Sequence, residues 1–352
     1  MSIFVDIEKN LGSFRLKMAF AAGNETLALL GASGSGKSMT LKCIAGIVTP
    51  DRGRIVVDDV VLFDSEKHIN LTPQQRRTGL MFQNYALFPN MTVLQNIRAG
   101  AGREPDKKKR EAAVAAVMDS FGLTSLADHL PSQLTRGQQQ RTAQARILVS
   151  NPRILLLDEP FSALDNHLRF RLEQEVRQTI RDFGKTVLLV SHDRDEVFRL
   201  ADSIAVVSNG AMDAFGTKSE VFHNPQTRMG AMLTGCKNIS PIQVLDATHV
   251  WAMDWDMTLE VPEIPADVKA VGIRMHDIFP GQGKNAFRCR VVGEIENPFS
   301  YTVMLQASPS ATAVGWEMNK EYWQINRREE IEVCMPPEAL LLLKDETKEV
   351  LR

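Results

Sequence analysis

GASGSGKS, residues 31–38, matches the pattern GxxxxGK[ST] of a phosphate-binding loop. An apolar run at 27–30 precedes it and a predicted helix begins near Met39, so the loop has the strand and helix on either side that the pattern requires. Glycines allow successive backbone N–H groups to point at phosphate oxygens, and the following helix adds its positive end. The sequence therefore predicts a site for ATP or GTP.

Two residues of this loop carry side-chain chemistry. We expect Lys37 to reach the β- and γ-phosphates and Ser38 to bind Mg²⁺, which neutralises charge between those phosphates. The other members of the predicted phosphate cradle are Gly31, Ala32, Ser33, Gly34, Ser35 and Gly36. Taken alone, the loop leaves kinases, GTPases and transport ATPases open.

Length, charge and cysteine content limit the classes of protein to which the chain can belong. The chain has 352 residues, enough for one large and one smaller domain, and its hydrophobic content of 44% is ordinary for a globular protein. A formal net charge of -2 favours neither nucleic acid nor an anionic membrane, so no nucleic-acid partner is expected. Four cysteines without a CxxC pair argue against zinc and against a disulfide framework. Aliphatic runs far shorter than a spanning helix, and an N-terminus unlike a secretory signal, favour a cytoplasmic location.

Apolar runs alternate with helix-periodic segments over residues 1–235, which predicts a doubly wound α/β core. The predicted buried parallel strands are 27–31, 79–82, 153–158, 186–191 and 203–207. Leu172 and Val176 recur with helical spacing before the fourth of these strands, so a crossover helix is expected there. On another face of that helix, Glu173 and Arg177 are expected to pair.

Two further regions differ from this core. Strand patterns disappear from residue 84 to about 150, which predicts a helical insertion, and its run DKKKRE at 106–111 is interpreted as a solvated helix start. Beyond residue 235, prolines separate short β-like segments, which predicts an all-β domain over 236–352. Its predicted strands are 268–273, 287–295, 301–305 and 330–334.

Polar residues follow three of the predicted strands. Asp158 ends one of them and suits Mg²⁺ coordination, and the adjacent Glu159 suits polarisation of an attacking water. Gln83 is expected to contact the metal and the water, and His192 to hydrogen-bond the γ-phosphate. Taken singly, a glutamine or a histidine at a strand end more often has a purely structural role.

LTRGQ, residues 134–138, precedes a predicted helix, so its N–H groups and the helix dipole are placed to address a γ-phosphate. By itself this peptide is a weak signal, and an ordinary helix cap is the favoured interpretation. We call it the signature peptide.

The order of these elements, with DEPFSALD at 158–165 and SHD at 191–193, resembles the ATPase subunit of ATP-binding-cassette (ABC) transporters over roughly residues 1–235. In that family two copies stack head to tail, and each ATP lies between the phosphate loop of one copy and the signature peptide of the other. The resemblance therefore implies ATP and Mg²⁺ as cofactors and a second copy of the chain as partner. It places Thr135, Arg136, Gly137 and Gln138 of one copy against the nucleotide on the other, with Asp165 in the stretch that crosses between copies. It implies catalytic roles for Glu159, His192 and Gln83, and metal ligation by Ser38, Gln83 and Asp158.

Two departures from the family pattern are visible. The family signature usually reads LSGGQ, whereas Thr135 and Arg136 stand here in place of serine and the first glycine. We expect the two copies to close nonetheless, with Arg136 turned toward solvent or the helix end. The family usually stacks adenine on an aromatic residue just before Gly12, but Leu11 stands there and Phe14 is the nearest ring.

The resemblance also implies membrane partners. Residues 84–97, NYALFPNMTVLQNI, resemble the family's groove for a short helix of the transmembrane permease subunit, although these apolar residues suit the insertion core equally. The chain is then expected at the cytoplasmic face of the cell membrane, bound to permease subunits, with an extracytoplasmic substrate-binding protein acting indirectly.

Residues 285–306 and 325–344 resemble the TOBE/MOP-like barrel of importer ATPases, which is related to oligonucleotide-binding (OB) barrels. Such a barrel either senses oxyanion or only dimerises. The phrases at 10–20 and 44–53 look most like molybdate or tungstate importer ATPases, with importers of sulfate, iron or polyamines as alternatives. A soluble non-transport ABC ATPase would normally show two cassettes in one chain or a long coiled-coil insertion, and the sequence shows neither pattern. In a kinase there would be no reason for these motifs to occur in this order.

Overall fold

The computed structural model describes residues 2–162 and 166–345, with side chains described at all of these except 166–168. The chain divides into two compact units, Met1–Lys218 and Ser219–Arg352. This division falls ahead of the domain boundary expected after residue 235. The expected boundary stays a prediction.

The first unit is built on one mixed sheet with helices between its strands. The strands are β1 (Ile3–Leu11), β2 (Phe14–Ala22), β3 (Thr26–Leu30), β4 (Arg52–Val57), β5 (Val60–Asp64), β6 (Ile69–Asn70), β7 (Thr78–Met81), β8 (Ile154–Asp158), β9 (Val187–Ser191), β10 (Ser203–Ser208) and β11 (Ala211–Thr217). The helices are α1 (Lys37–Ala45), α2 (Pro73–Arg76), α3 (Val93–Gly100), α4 (Lys107–Ser120), α5 (Arg136–Leu148), α6 (Asn166–Phe183) and α7 (Arg194–Leu200). Across the sheet the order is β6, β5, β4, β1, β2, β11, β10, β3, β9, β8, β7.

The strands β10, β3, β9, β8 and β7 are parallel to their neighbours in this series. Every residue of β3, β8 and β9 is buried, as expected for strands with both faces covered. The five predicted parallel strands are thus confirmed, with ends shifted by one residue at most. The remaining strands, β1, β2, β4, β5, β6 and β11, complete the sheet through mainly antiparallel pairs and were not predicted.

Helix α6 confirms the predicted crossover helix, but the expected Glu173–Arg177 pair is wrong. The side chain of Glu173 is buried and accepts hydrogen bonds from Arg199 Nε at 2.5 Å and Arg199 Nη2 at 2.8 Å. Glu173 therefore faces helix α7 and not solvent, because the tertiary partner supplies two charged donors at once.

The helical insertion is confirmed between β7 and β8. Helices α3, α4 and α5 share a small apolar core that includes Ile97, Val114 and Met118. Asp106 caps α4 by accepting from the backbone N–H groups of Lys108 and Lys109, whose side chains are exposed. The basic run is therefore a solvated helix start, as expected.

The second unit is mainly β. Its strands are β12 (Asn238–Val244), β13 (His249–Ala252), β14 (Met257–Glu260), β15 (Val268–Ile273), β16 (Phe279–Pro280), β17 (Ala286–Glu296), β18 (Ser300–Gln306), β19 (Val314–Asn319), β20 (Glu330–Cys334) and β21 (Leu341–Lys344), and its helices are α8 (Lys218–His223, which begins at the division), α9 (Arg228–Leu233) and α10 (Lys320–Asn326). One sheet has the order β14, β13, β12, β15, β21, and the other β16, β20, β17, β18, β19. Trp255, Trp316 and Trp323 are buried in its core. This architecture agrees with the predicted OB-like β domain.

Within the described residues, no helix combines the length and the apolar character that crossing a bilayer requires.

Candidate nucleotide-binding site

The phosphate loop joins the buried strand β3 to helix α1. Gly34 and Gly36 have positive φ angles of 82° and 104°, and Gly36 is the N-cap of α1. A Cβ on Gly31 would lie 2.3 Å from the carbonyl oxygen of Val207. Glycine is required at these positions because larger residues would strain or block the turn. The turn delivers the positive end of α1 to the mouth of the loop.

Lys37 places a buried cation inside this loop. Its Nζ donates to the carbonyl oxygens of Gly31 and Ala32, both at 2.8 Å. Burial lowers the pKa of Lys37, while the nearby carboxylates of Glu159 and Asp158 act in the opposite direction. The ammonium is therefore anchored where phosphate oxygens would meet the loop.

Ser38 and Asp158 bring two hard oxygen ligands together. Ser38 Oγ donates to Asp158 Oδ1 at 2.7 Å across the junction of α1 and β8. Burial raises the pKa of Asp158, and the hydrogen bond from Ser38 lowers it. Within the described residues no group of three or more His, Cys, Asp or Glu side chains could hold a metal. A hydroxyl and one carboxylate fit Mg²⁺, which is usually completed by substrate phosphates and water.

Glu159 and His192 form the next pair. Glu159 follows β8 with a positive φ of 46°, and its carboxylate Oε1 lies 3.3 Å from Nδ1 of His192, the residue after β9. The Glu159 side chain is largely buried, whereas the His192 ring is half exposed. The pair can therefore present a carboxylate and an imidazole to one molecule arriving from solvent.

Gln83 lies beyond the end of β7, which stops at Met81, one residue earlier than predicted. Its Nε2 donates to Ser162 Oγ at 2.9 Å. Ser162 was not singled out from the sequence, because nothing local marks a serine as the partner of a residue 79 positions away. Gln83 is otherwise exposed.

The sheet topology explains why these residues belong to one site. β3, β9, β8 and β7 are parallel neighbours, so their carboxyl ends share one edge of the sheet. The phosphate loop, His192, Glu159 and Gln83 follow these four strands in the same order. Open parallel sheets bind ligands at this edge.

The signature peptide has a different setting. Thr135 caps helix α5, with its Oγ1 accepting from Gln138 N at 3.3 Å, and Gln138 Oε1 accepts from Thr135 N at 2.8 Å. A Cβ on Gly137 would meet Leu172 of α6 at 3.4 Å, an ordinary contact. Arg136 is exposed in the first turn. The contacts of the peptide thus account for a helix cap, and Asp165 lies outside the described residues.

Residues 84–97, the expected permease groove, divide into core and surface. Tyr85 and Val93 are buried, whereas Phe88 and Met91 are exposed. The buried Asn96 holds the turn, accepting from Phe88 N at 2.8 Å and donating to Met91 O at 2.9 Å. Part of the segment is therefore insertion core, and the rest presents apolar side chains on a fixed turn.

Comparison with known proteins decides the family. A family model for ABC transporters matches residues 15–162. The chain is 36% identical over 282 residues to the sulfate/thiosulfate import ATP-binding protein CysA of Thermosynechococcus vestitus, which is 78% of this chain and 82% of that protein. The chain belongs to the ABC transporter family.

One further relative and one solved structure are similar to this ABC chain. It is 42% identical over 221 residues to the molybdenum import ATP-binding protein ModC of Rhodospirillum rubrum, covering 63% of this chain but only 60% of that relative's length. A dimeric ATP-binding cassette, solved in a post-hydrolysis state bound to ADP and Pi, aligns with 62% of this chain and 99% of its own, with a TM-score of 0.52 and 27% identity. The predicted ABC ATPase core is thereby confirmed.

Leu11 stands where the ABC family usually has an aromatic side chain that stacks on adenine, and Phe14 is the nearest aromatic residue. Phe14 Cζ lies 3.2 Å from where a Cβ of Gly36 would stand, so its ring packs against the phosphate loop. Leu11 at the end of β1 is exposed. At least one edge of the Phe14 ring therefore packs against the loop and is not available to stack on adenine.

Proposed function

We propose that this chain is the ATP-hydrolysing subunit of an importer and that it works as a pair of identical copies. One observation carries the proposal: a phosphate-binding cation, two Mg²⁺-type oxygen ligands and a carboxylate beside an imidazole share one edge of the sheet. These groups are Lys37, Ser38 with Asp158, and Glu159 with His192.

The chemistry follows from these positions. Lys37 binds β- and γ-phosphate oxygens, and Ser38 and Asp158 would hold Mg²⁺, which when bound neutralises charge between these phosphates. Glu159 orients a water and accepts its proton as the water oxygen bonds to the γ-phosphorus. The bond from that phosphorus to the β–γ bridging oxygen breaks, leaving ADP and inorganic phosphate. His192 donates to a γ-phosphate oxygen and keeps the water in line.

The second copy supplies the other wall of the site. The signature peptide opens α5, and the first-turn N–H groups of a helix are typical of an anion-binding end. The dimeric relative supports a paired arrangement. Because the γ-phosphate would bridge the two copies, its removal would shift the population of dimers from the closed state to the open state. Hydrolysis would in this way cause the two copies to move apart. That motion would drive permease subunits docked at residues 84–97.

The proposed cargo is molybdate or tungstate. The molybdenum relative supports it, and the sulfate/thiosulfate relative supports the alternative of another oxyanion. The second unit either senses the oxyanion or only dimerises. Calorimetry of the full chain with molybdate separates these roles, since a sensor binds the anion and a dimerisation module does not.

The experiment that tests the function is phosphate release by the purified chain in MgATP with no acceptor added. We expect steady hydrolysis, and molybdate or tungstate uptake when the chain is reconstituted with its permease in vesicles. Turnover only in the presence of an acceptor molecule would indicate a kinase. Uptake of sulfate in place of molybdate would select the other cargo.

Arg136 gives a separate prediction. Replacing it with glycine restores the usual family signature, and we expect the ATPase rate to change by less than about threefold, the range of most exposed substitutions. Thr135→Ala is the comparison variant. It removes the N-cap of α5 and should lower the free energy of unfolding by about 1 kcal/mol. A tenfold or larger loss of rate in Arg136→Gly, roughly 1.4 kcal/mol, would mean that the arginine itself acts on the nucleotide.

A further inference from the structure

The residues on both sides of His192 are held by one buried carboxylate. Ser191 Oγ donates to Glu196 Oε2 at 2.7 Å and accepts from Asp193 N at 3.0 Å. Asp193 caps helix α7 by accepting from Glu196 N at 3.1 Å. The backbone before and after His192 is thus fixed by contacts that meet at Glu196.

Arg169 of helix α6 closes this group from the other side. Its Nη1 donates to Asp193 Oδ2 at 3.1 Å, and its Nε lies 3.0 Å from Glu196 Oε1, although the two are too poorly aligned for a hydrogen bond. The Glu196 side chain is 3% exposed. A carboxylate this buried is costly unless partners compensate it. Its partners here are Ser191 and Arg169, which connect it to the strand end and to α6.

We propose that Glu196 is a positioning residue for ATP hydrolysis. Through Ser191 and Arg169 it holds the turn that carries His192 at its 3.3 Å approach to Glu159. The inference rests on the proposed ATPase function. Burial raises the pKa of Glu196, and Ser191 and Arg169 oppose this effect.

The chain offers a matched control for the structural part of this role. Glu173 and Arg199 join the same two helices, α6 and α7, through hydrogen bonds of 2.5 and 2.8 Å. Glu173 is as buried as Glu196. Its bonds go to Arg199 and not to Ser191 or Asp193. Loss of this pair loosens the helices without freeing the turn around His192.

The test compares kcat, KM and the melting temperature of Glu196→Ala, Glu196→Gln, Ser191→Ala and Glu173→Gln. We expect kcat of Glu196→Ala to fall about 10- to 100-fold, the cost of a misplaced catalytic group. KM for MgATP should stay within about twofold. Glu196→Gln, which keeps an acceptor for Ser191, should retain an intermediate rate. Glu173→Gln should lower the melting temperature with kcat nearly unchanged.

The double variant Ser191→Ala/Glu196→Ala should be no slower than the slower single variant, because both act through the same contact. If Glu196→Ala and Glu196→Gln lose no more kcat than Glu173→Gln does, the proposal is wrong. If Glu196→Ala fails to fold, Glu196→Gln and Ser191→Ala still test the proposal. A wild-type chain that hydrolyses no ATP would overturn the proposed function itself, which separates the two failures.

Discussion

Replacing Lys37 with alanine is expected to lower kcat/KM for ATP about a thousandfold, the upper cost of removing one preorganised donor from a site. Lys37 is buried within the loop and held by two carbonyl oxygens at 2.8 Å, so its charge is in place before substrate arrives. Alanine leaves the loop glycines and the end of α1 intact. Phosphate release across a series of ATP concentrations measures the effect.

Lys17→Ala is the control for this variant. Lys17 is an exposed residue on β2, and its loss removes the same charge from the chain away from the loop interior. We expect that variant to keep activity within about twofold of wild type. Melting curves of both proteins check that the fold survives. If Lys37→Ala kept activity within about tenfold, Lys37 would not be the phosphate ligand.

Glu159→Gln is expected to lower kcat about 10²- to 10⁴-fold, the usual contribution of a general base, while ATP still binds. The amide keeps the size of the side chain but cannot take a proton from water. Nucleotide binding should persist because Lys37, Ser38 and Asp158 are unchanged. Single-turnover hydrolysis and ATP titration separate the two effects.

Glu66→Gln serves as the control, since Glu66 is exposed in the turn between β5 and β6 and makes the same change of charge. Wild-type rates are expected from it. A Glu159→Gln protein that hydrolyses ATP at nearly the wild-type rate would remove Glu159 from the catalytic role. Loss of ATP binding in that variant would assign it to nucleotide binding.

Much of the core and the site could be predicted from local sequence. Buried parallel strands are short continuous apolar runs, so β3, β8 and β9 were visible at once. Once these strands are parallel, the residues after them must meet at one edge, which brings Glu159 and His192 together. The strand β2 was missed, although Leu16 and Met18 alternate with exposed residues as a half-buried strand requires.

Other contacts depend on packing that no local pattern encodes. Glu173 has a helical partner at Arg177 by spacing, yet Arg199 of another helix provides a buried bidentate contact. The bond from Gln83 to Ser162 and the placement of Glu196 likewise join distant segments. The T-x-x-Q pattern of Thr135 and Gln138, by contrast, is a local capping signal that the sequence already contained.

We propose that two copies of the chain enclose ATP. Sedimentation of Glu159→Gln tests it most directly, because this variant should bind ATP without consuming it. We predict that MgATP, and not MgADP, converts the protein to a dimer, and that adding Lys37→Ala to the same chain abolishes the change. A Glu159→Gln protein that binds ATP and stays monomeric in excess MgATP at high protein concentration would contradict the claim.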